Sequence, residues 1–221
     1  MPLLLPSLST VVTAAPGTGS TSLLEACARD DDVVDLLEGV DCVAVGLDAK
    51  HATLAGIARS GACREVRATL GSPPAHVVTT TRDPFDFYVA EWHRTRTRWA
   101  LELDDPSSWV HRVEGMHERI DRALGSDFDP WLRDELAGGP DDGSRRLNPG
   151  HVDEATIVLR IEHVDDDLRR LHPRLAERIG PIPHVNRTER DGSSRERYTP
   201  WGRAAVERAH AADLARFGYR F

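Results

Sequence analysis

Two hydrophobic patterns take turns along the chain: short continuous apolar runs, and apolar positions spaced three or four residues apart. The run that opens at Val11 stops at Pro16-Gly17-Thr18-Gly19-Ser20-Thr21-Ser22. A helical pattern follows over Ser22–Ala28, and another over Val33–Leu37 beyond the acidic break at Asp30–Asp32. Val40–Leu47 predicts a second buried strand, Thr53–Ser60 a helix and Glu65–Leu70 a further short helix. Beyond the breaker Gly71–Pro74, the β-branched run His76–Thr81 predicts a third strand. Phe85, Tyr88, Val89, Trp92, Arg96, Trp99 and Leu103 then share one helical face. Helices are expected over Trp109–Leu124 and Pro130–Leu136, followed by a mobile Gly/Pro/Asp-rich loop over Gly138–Gly150. Thr156–Ile161 reads as the last core strand, Val164–Ile179 as a helix, Pro181–Pro200 as irregular chain and Gly202–Ala215 as the closing helix. Strands alternating with helices predict an α/β domain built on a central, mostly parallel sheet flanked by helices. A chain of 221 residues is long enough for one such domain.

Charge narrows the class of partner. The formal net charge of −8 argues against nucleic acid, whose phosphates require a basic surface. Cys27, Cys42 and Cys63 show no C-x-x-C spacing, so a metal centre and a disulfide framework are both disfavoured and buried thiols are expected. The N-terminal MPLLLPSLSTVV carries two prolines and no basic region, reading as neither a signal peptide nor a membrane span. A cytoplasmic protein is the resulting expectation. Lys50 is the only lysine.

Candidate chemistry concentrates at two strand ends. In the first turn, glycines let the backbone approach a ligand, and the helix start leaves amides without intrahelical acceptors. Those amides, the helix dipole and the hydroxyls of Ser20, Thr21 and Ser22 favour a phosphate or sulfate group. No lysine follows a second glycine, so the segment is not a Walker A loop; an ordinary strand-to-helix connection is the plainer alternative. The third strand ends at Arg82-Asp83-Pro84, at the sheet edge where α/β folds bind ligands. Arg82 suits a bidentate phosphate contact, while Asp83 and Pro84 suit a helix start. An arginine paired with a nearby acid beside a capped helix is the alternative there.

Taken in order, these segments resemble the PAPS-dependent sulfotransferases, in particular the carbohydrate-type branch with bacterial members. The family's P-K-T-G-x-T-S-like turn is matched by Pro16–Ser22, and its R-D-P-[WYF]-D-x-x-V-S by Arg82–Ala90. Lys50-His51-Ala52-Thr53 matches K-H-A-T, Arg160-Ile161-Glu162 matches R-x-E, Asn186-Arg187-Thr188 matches N-[KR]-[ST], and Asp213–Phe221 matches D-x-x-x-F-G-Y-x-F. Only about Trp92–Gly150 is unmatched, a helical segment expected on the acceptor side of a single domain.

The resemblance implies a P-loop-like three-layer fold and in-line transfer of a sulfuryl group from PAPS to a hydroxyl of a carbohydrate or small metabolite, without metal. Gly17, Thr18, Gly19, Ser20, Thr21 and Ser22 would hold the 5′-phosphosulfate. Arg82 would hold the 3′-phosphate, with Arg187, Arg195 or Arg197 adding a cation. His51 would be the base and Lys50 a cation near the sulfuryl group. In the unmatched segment, Trp92, Arg96 and Trp99 suit stacking on a sugar or anionic acceptor, although tryptophans in the core under snorkelling arginines explain them as well. Glu162 is expected to be buried and to pair with Arg160 or a backbone donor. Two positions depart from the family: Gly17 stands where it has lysine, and Ala90 where it has serine. A non-catalytic or diverged nucleotide-binding relative is the alternative these departures favour, with a P-loop-like kinase behind it.

Overall fold

The computed structural model describes residues 1–59, 68, 70–140, 142–183, 185 and 192–221. Asn186, Arg187, Thr188 and Cys63 lie outside them, as does most of the expected helix Glu65–Leu70, so the role foreseen for Arg187 has no structural description. The chain divides into two compact units. The first comprises Met1–Arg82 with Leu147–Arg187, and the second Asp83–Arg146 with Thr188–Phe221.

The first unit is α/β. Its sheet contains β1 (Leu3–Leu5), β2 (Thr10–Val12), β3 (Val34–Asp35), β4 (His76–Thr81) and β5 (Ile157–Arg160), in the order β3-β1-β2-β4-β5. β2, β4 and β5 run parallel, whereas β1 is antiparallel to both β2 and β3. The sheet is therefore mixed: four strands share one direction and β1 alone runs against them. The cause is local: Pro6–Leu8 form a single 3-10 turn closed by Ser9 in the left-handed region. That connection is too short for a crossover, so the chain folds straight back on itself.

Alternation along the strands gives the sheet two apolar faces. Leu3, Leu5, Val12, Val78, Ile157 and Leu159 pack with Leu23 of α1 (Ser20–Cys27) and with Leu168 and Leu175. Leu4 and Val11 pack on the other side with Leu36, Leu37 and Ile57, the last from α2 (Leu54–Arg59).

The second unit is helical. α3 (Pro84–Arg94) starts with Asp83 as N-cap, its Oδ1 accepting the Phe85 amide at 2.9 Å, and Pro84 in the first turn. Phe85, Tyr88, Val89 and Trp92 form the buried stripe that their spacing predicts. They pack against residues of α4 (Met116–Gly125), α5 (Phe128–Ala137) and α9 (Pro200–Ala209).

Several expected elements come out differently. Val33–Leu37 is not helical, because Val34 and Asp35 pair with Leu4 and Leu3 as β3. Val40–Leu47 consists of turns, with Val43 91% exposed, instead of a buried strand. Trp109–Leu124 is broken by Gly115 at φ 73°. Within Gly138–Gly150, expected as loop, α6 (Pro149–Glu154) begins. Val164–Ile179 is two helices, α7 (Val164–Leu171) and α8 (Pro173–Ile179), since Pro173 removes a donor and restricts His172. The closing helix is likewise α9 followed by α10 (Ala211–Phe217), ended by Gly218 at φ 73°. Among the described residues no helix is long and apolar enough to cross a membrane.

Candidate anion-binding site

The backbone between β2 and α1 is held almost entirely by its carbonyls. Thr79 Oγ1 donates to the Thr13 oxygen at 3.4 Å and His51 Nδ1 to that of Ala14 at 2.7 Å. Thr18 Oγ1 and Ser20 Oγ both donate to Ala15, at 2.8 and 3.0 Å. Asn148 Nδ2 reaches the Pro16 oxygen at 2.8 Å, and Arg82 an ω-nitrogen to that of Gly17 at 3.4 Å. Five successive carbonyls, Thr13 to Gly17, thus each accept from a side chain. Gly17 and Gly19 sit at φ 74° and 71°, the left-handed conformation that lets neighbouring amides converge into an anion-binding concavity. At the start of α1, the Ser22 amide turns back on the Gly19 oxygen at 3.0 Å. The Ser20 and Thr21 amides, by helix geometry, have no intrahelical acceptor. The turn therefore has a carbonyl side occupied by protein and an amide side built for negative charge.

The hydroxyls divide by role. Thr18 is fully buried, and because its one proton goes to Ala15, the Thr80 hydroxyl donates to it, at 2.5 Å. Ser20 spends its proton on the same carbonyl, and Ser22 Oγ accepts the Val185 amide at 3.1 Å. Thr18 and Ser20 thus shape the turn through their side chains and have only amides to offer a ligand. Thr21 is half-buried at the first helical turn. Gly19 has a steric role as well: a Cβ there would lie 2.7 Å from Cγ1 of Ile161.

His51 is oriented by its contact. A carbonyl can only accept, so Nδ1 carries the proton and Nε2 presents a lone pair. Burial lowers the pKa of the imidazole, against the opposing pull of the Ala14 hydrogen bond, so the ring is neutral at pH 7. Asp48 Oδ1 holds the loop by accepting the amides of Lys50 and His51 at 2.9 and 3.1 Å. Lys50 itself is exposed, and its carbonyl accepts from the N-terminal ammonium at 3.1 Å.

Three residues at this place carry no signal in the strand-and-turn pattern. Asn148, at φ 50°, opens α6 and grips the turn. Its place before a proline in a loop-like stretch is the sole sequence hint. His151, on the same helix, is 4% exposed, and burial is the main cause of its lowered pKa. Glu154 ends α6 and accepts the Leu54 and Ala55 amides, both at 2.8 Å, at the start of α2.

Other expected site residues stand elsewhere. Arg195 belongs to the second unit, where it pairs with Asp83 at 2.5 Å, donates to the Arg220 oxygen at 2.9 Å and lies over the Phe85 ring. Its guanidinium is a structural clamp in that unit. Arg197, in the same unit, ends a short 3-10 turn (Ser194–Arg197) and is exposed. Trp92 is buried, and Arg96 covers it at 4.5 Å while donating to the Ser126 oxygen at 3.3 Å. Trp99 is half-exposed, edge-on to Trp109 at 5.3 Å. Glu162 is exposed rather than buried, and Arg160 donates to Asp167 through two bonds of 2.8 Å. Those bonds, with Arg170 adding a third, hold the Asp167 carboxyl well below the usual carboxylate range.

No protein-family model, no curated protein and no solved structure matches the chain.

Proposed function

We propose that the chain is a PAPS-dependent sulfotransferase with a P-loop-like three-layer core, transferring a sulfuryl group in line to a hydroxyl of a carbohydrate or small-metabolite acceptor. The observation that carries this reading is the one-sided turn, whose carbonyls from Thr13 to Gly17 are each claimed by a side chain, the strand-end Arg82 among them, which leaves the amide side of the turn for an anion. The residues fit the anionic parts of such a donor: backbone amides for the phosphosulfate, a guanidinium for the second phosphate.

In this reading the amides of Gly17–Thr21 bind the 5′-phosphosulfate and stabilise charge that grows on the bridging oxygen. Arg82 binds the 3′-phosphate. His51 Nε2 accepts the proton of the acceptor hydroxyl, its Nδ1 proton staying on Ala14. PAPS supplies an activated sulfur whose bond to the phosphate oxygen breaks as the bond to the acceptor oxygen forms, releasing adenosine 3′,5′-bisphosphate. Lys50, the chain's one ammonium side chain, is the cation assigned to the sulfuryl oxygens.

A diverged relative that binds nucleotide without transfer is the second reading, and Gly17 and Ala90 favour it. Gly17 holds φ 74°, where any side chain is strained, so this turn is not a family turn that has merely lost a lysine. Ala90 is fully buried and brings no hydroxyl.

Calorimetric titration with adenosine 3′,5′-bisphosphate, alongside Arg82→Ala, tests both. Binding that Arg82→Ala weakens at least about tenfold supports a nucleotide site, and its absence refutes both readings. Transfer of labelled sulfate to an acceptor panel, lost in His51→Ala, supports the enzyme. Binding without transfer selects the second reading, and magnesium-dependent ATP consumption would point to a kinase instead.

A further inference from the structure

A pair of histidines in the second unit has no part in the chemistry above. His111 ends the 3-10 turn Trp109–His111, and His117 lies in the first turn of α4. His111 Nδ1 and His117 Nε2 are 3.0 Å apart, with ring centroids 4.9 Å apart and both residues exposed. An exposed N–H···N contact competes with water and contributes little stability. Protonation of both rings would set two cations side by side.

The backbone nonetheless holds the pair firmly. Val110 and Met116, each next to one of the histidines, are 0% and 8% exposed and belong to one apolar cluster with Ile120, Trp99 and Trp109. Gly115, at φ 73°, makes the bend that brings the two elements together.

We propose that His111 and His117 form a two-imidazole site for a divalent first-row cation of tetragonal preference, Cu²⁺ or Ni²⁺. Imidazole is a favoured ligand for these ions. A metal about 2.05 Å from each nitrogen would see the two, at their present separation, under an angle of about 94°. That is the angle between neighbouring ligands of a square-planar or octahedral ion, and it is narrower than the tetrahedral angle zinc prefers. Binding requires the proton held between the rings to move to the other nitrogen of its own ring, so that both facing nitrogens present lone pairs, with each ring turning by about 40° from the N···N line toward the metal. Among the described residues no group of three or more His, Cys, Asp or Glu side chains gathers, so water or an external ligand completes the coordination.

Titration of the intact protein with CuCl₂ and NiCl₂, followed by tryptophan fluorescence, tests the site, since Trp109 lies two residues from His111 and against Trp99. The expected result is one saturable copper equivalent that quenches fluorescence, with a copper paramagnetic resonance spectrum showing two nitrogen ligands. His111→Gln and His117→Gln should each weaken binding at least about tenfold and leave one of those nitrogens. His163→Gln, an exposed histidine in the first unit, should change nothing. Unaltered copper affinity in both site variants, no saturable binding in the parent protein, or zinc bound more tightly than copper would overturn the proposal. Both side chains are exposed, so the variants are expected to fold, which an unchanged thermal midpoint verifies.

Discussion

Acid should destabilise the second unit through a single buried imidazole. His210 is 0% exposed, its Nε2 lies 2.8 Å from the Tyr88 hydroxyl, and burial, aided by the Arg145 guanidinium, lowers its pKa to about 4. The Tyr88 hydroxyl, pushed up to about 12 by burial, keeps its proton throughout. An unfolded histidine titrates near 6.5, so the folded state binds the proton less readily than the unfolded one. Stability from this group is complete above pH 6.5 and is lost as pH falls toward 4. The difference of about 2.5 pKa units corresponds to about 3.4 kcal/mol in the acid limit, with about 2 kcal/mol already lost at pH 5. Urea unfolding of the parent protein and of His210→Gln, each at pH 7 and pH 5, isolates this contribution. The parent should lose about 2 kcal/mol more than the variant over that interval. In the folded parent, the His210 ring proton resonances should hold their neutral positions down to about pH 5. Equal acid losses in both proteins, or a ring titrating near 6.5 in the native state, would refute the reasoning.

Two further substitutions probe the first unit. Gly19→Ala places a Cβ against Ile161 at a left-handed backbone position; it should cost about 1–3 kcal/mol in denaturant unfolding and weaken adenosine bisphosphate binding, whereas Gly39→Ala, whose Cβ meets open space, should cost only the backbone strain. Asp167→Asn leaves Arg160 and Arg170 without their shared carboxylate and, because both guanidiniums reach solvent, should cost about 1–2 kcal/mol. Because the folded carboxyl is depressed, the parent's contribution from Asp167 is present above about pH 3.9 and disappears below it, and the variant's acid unfolding should lack that component.

The elements most legible in the sequence are those that local chemistry decides. His76–Thr81 is β-branched at every position after His76 and forms a strand over those same residues, and Asp83-Pro84 caps the next helix as their types require. Val33–Leu37 misleads because helical spacing and a short edge strand look alike there, and pairing with Leu3 and Leu4 decides between them. Val40–Leu47 has a strand's composition, but among the described residues no strand pairs with it. At the candidate site, the glycines, Arg82 and His51 announce themselves by type and position. Asn148, His151 and Glu154 do not, because their importance comes from contacts with residues about a hundred or more positions away. The inward turn of Thr18 and Ser20 is equally invisible, since a hydroxyl's partner is a matter of tertiary geometry.

Helix α6 has a consequence for how the molecule comes into being. Pro16 and Asn148 are 132 residues apart, and Glu154 meets Leu54 and Ala55 across 100 and 99. A chain emerging from the ribosome makes β2, the glycine turn and α1 before α6, so the turn has no grip on its Pro16 carbonyl until a further 132 residues, as far as Asn148, have been added. The loop-closure entropy for that contact must be met before the contact returns anything. Clamping of the turn's carbonyls is therefore completed late in folding, and a nascent chain that stops short of Asn148 carries the motif without the full clamp.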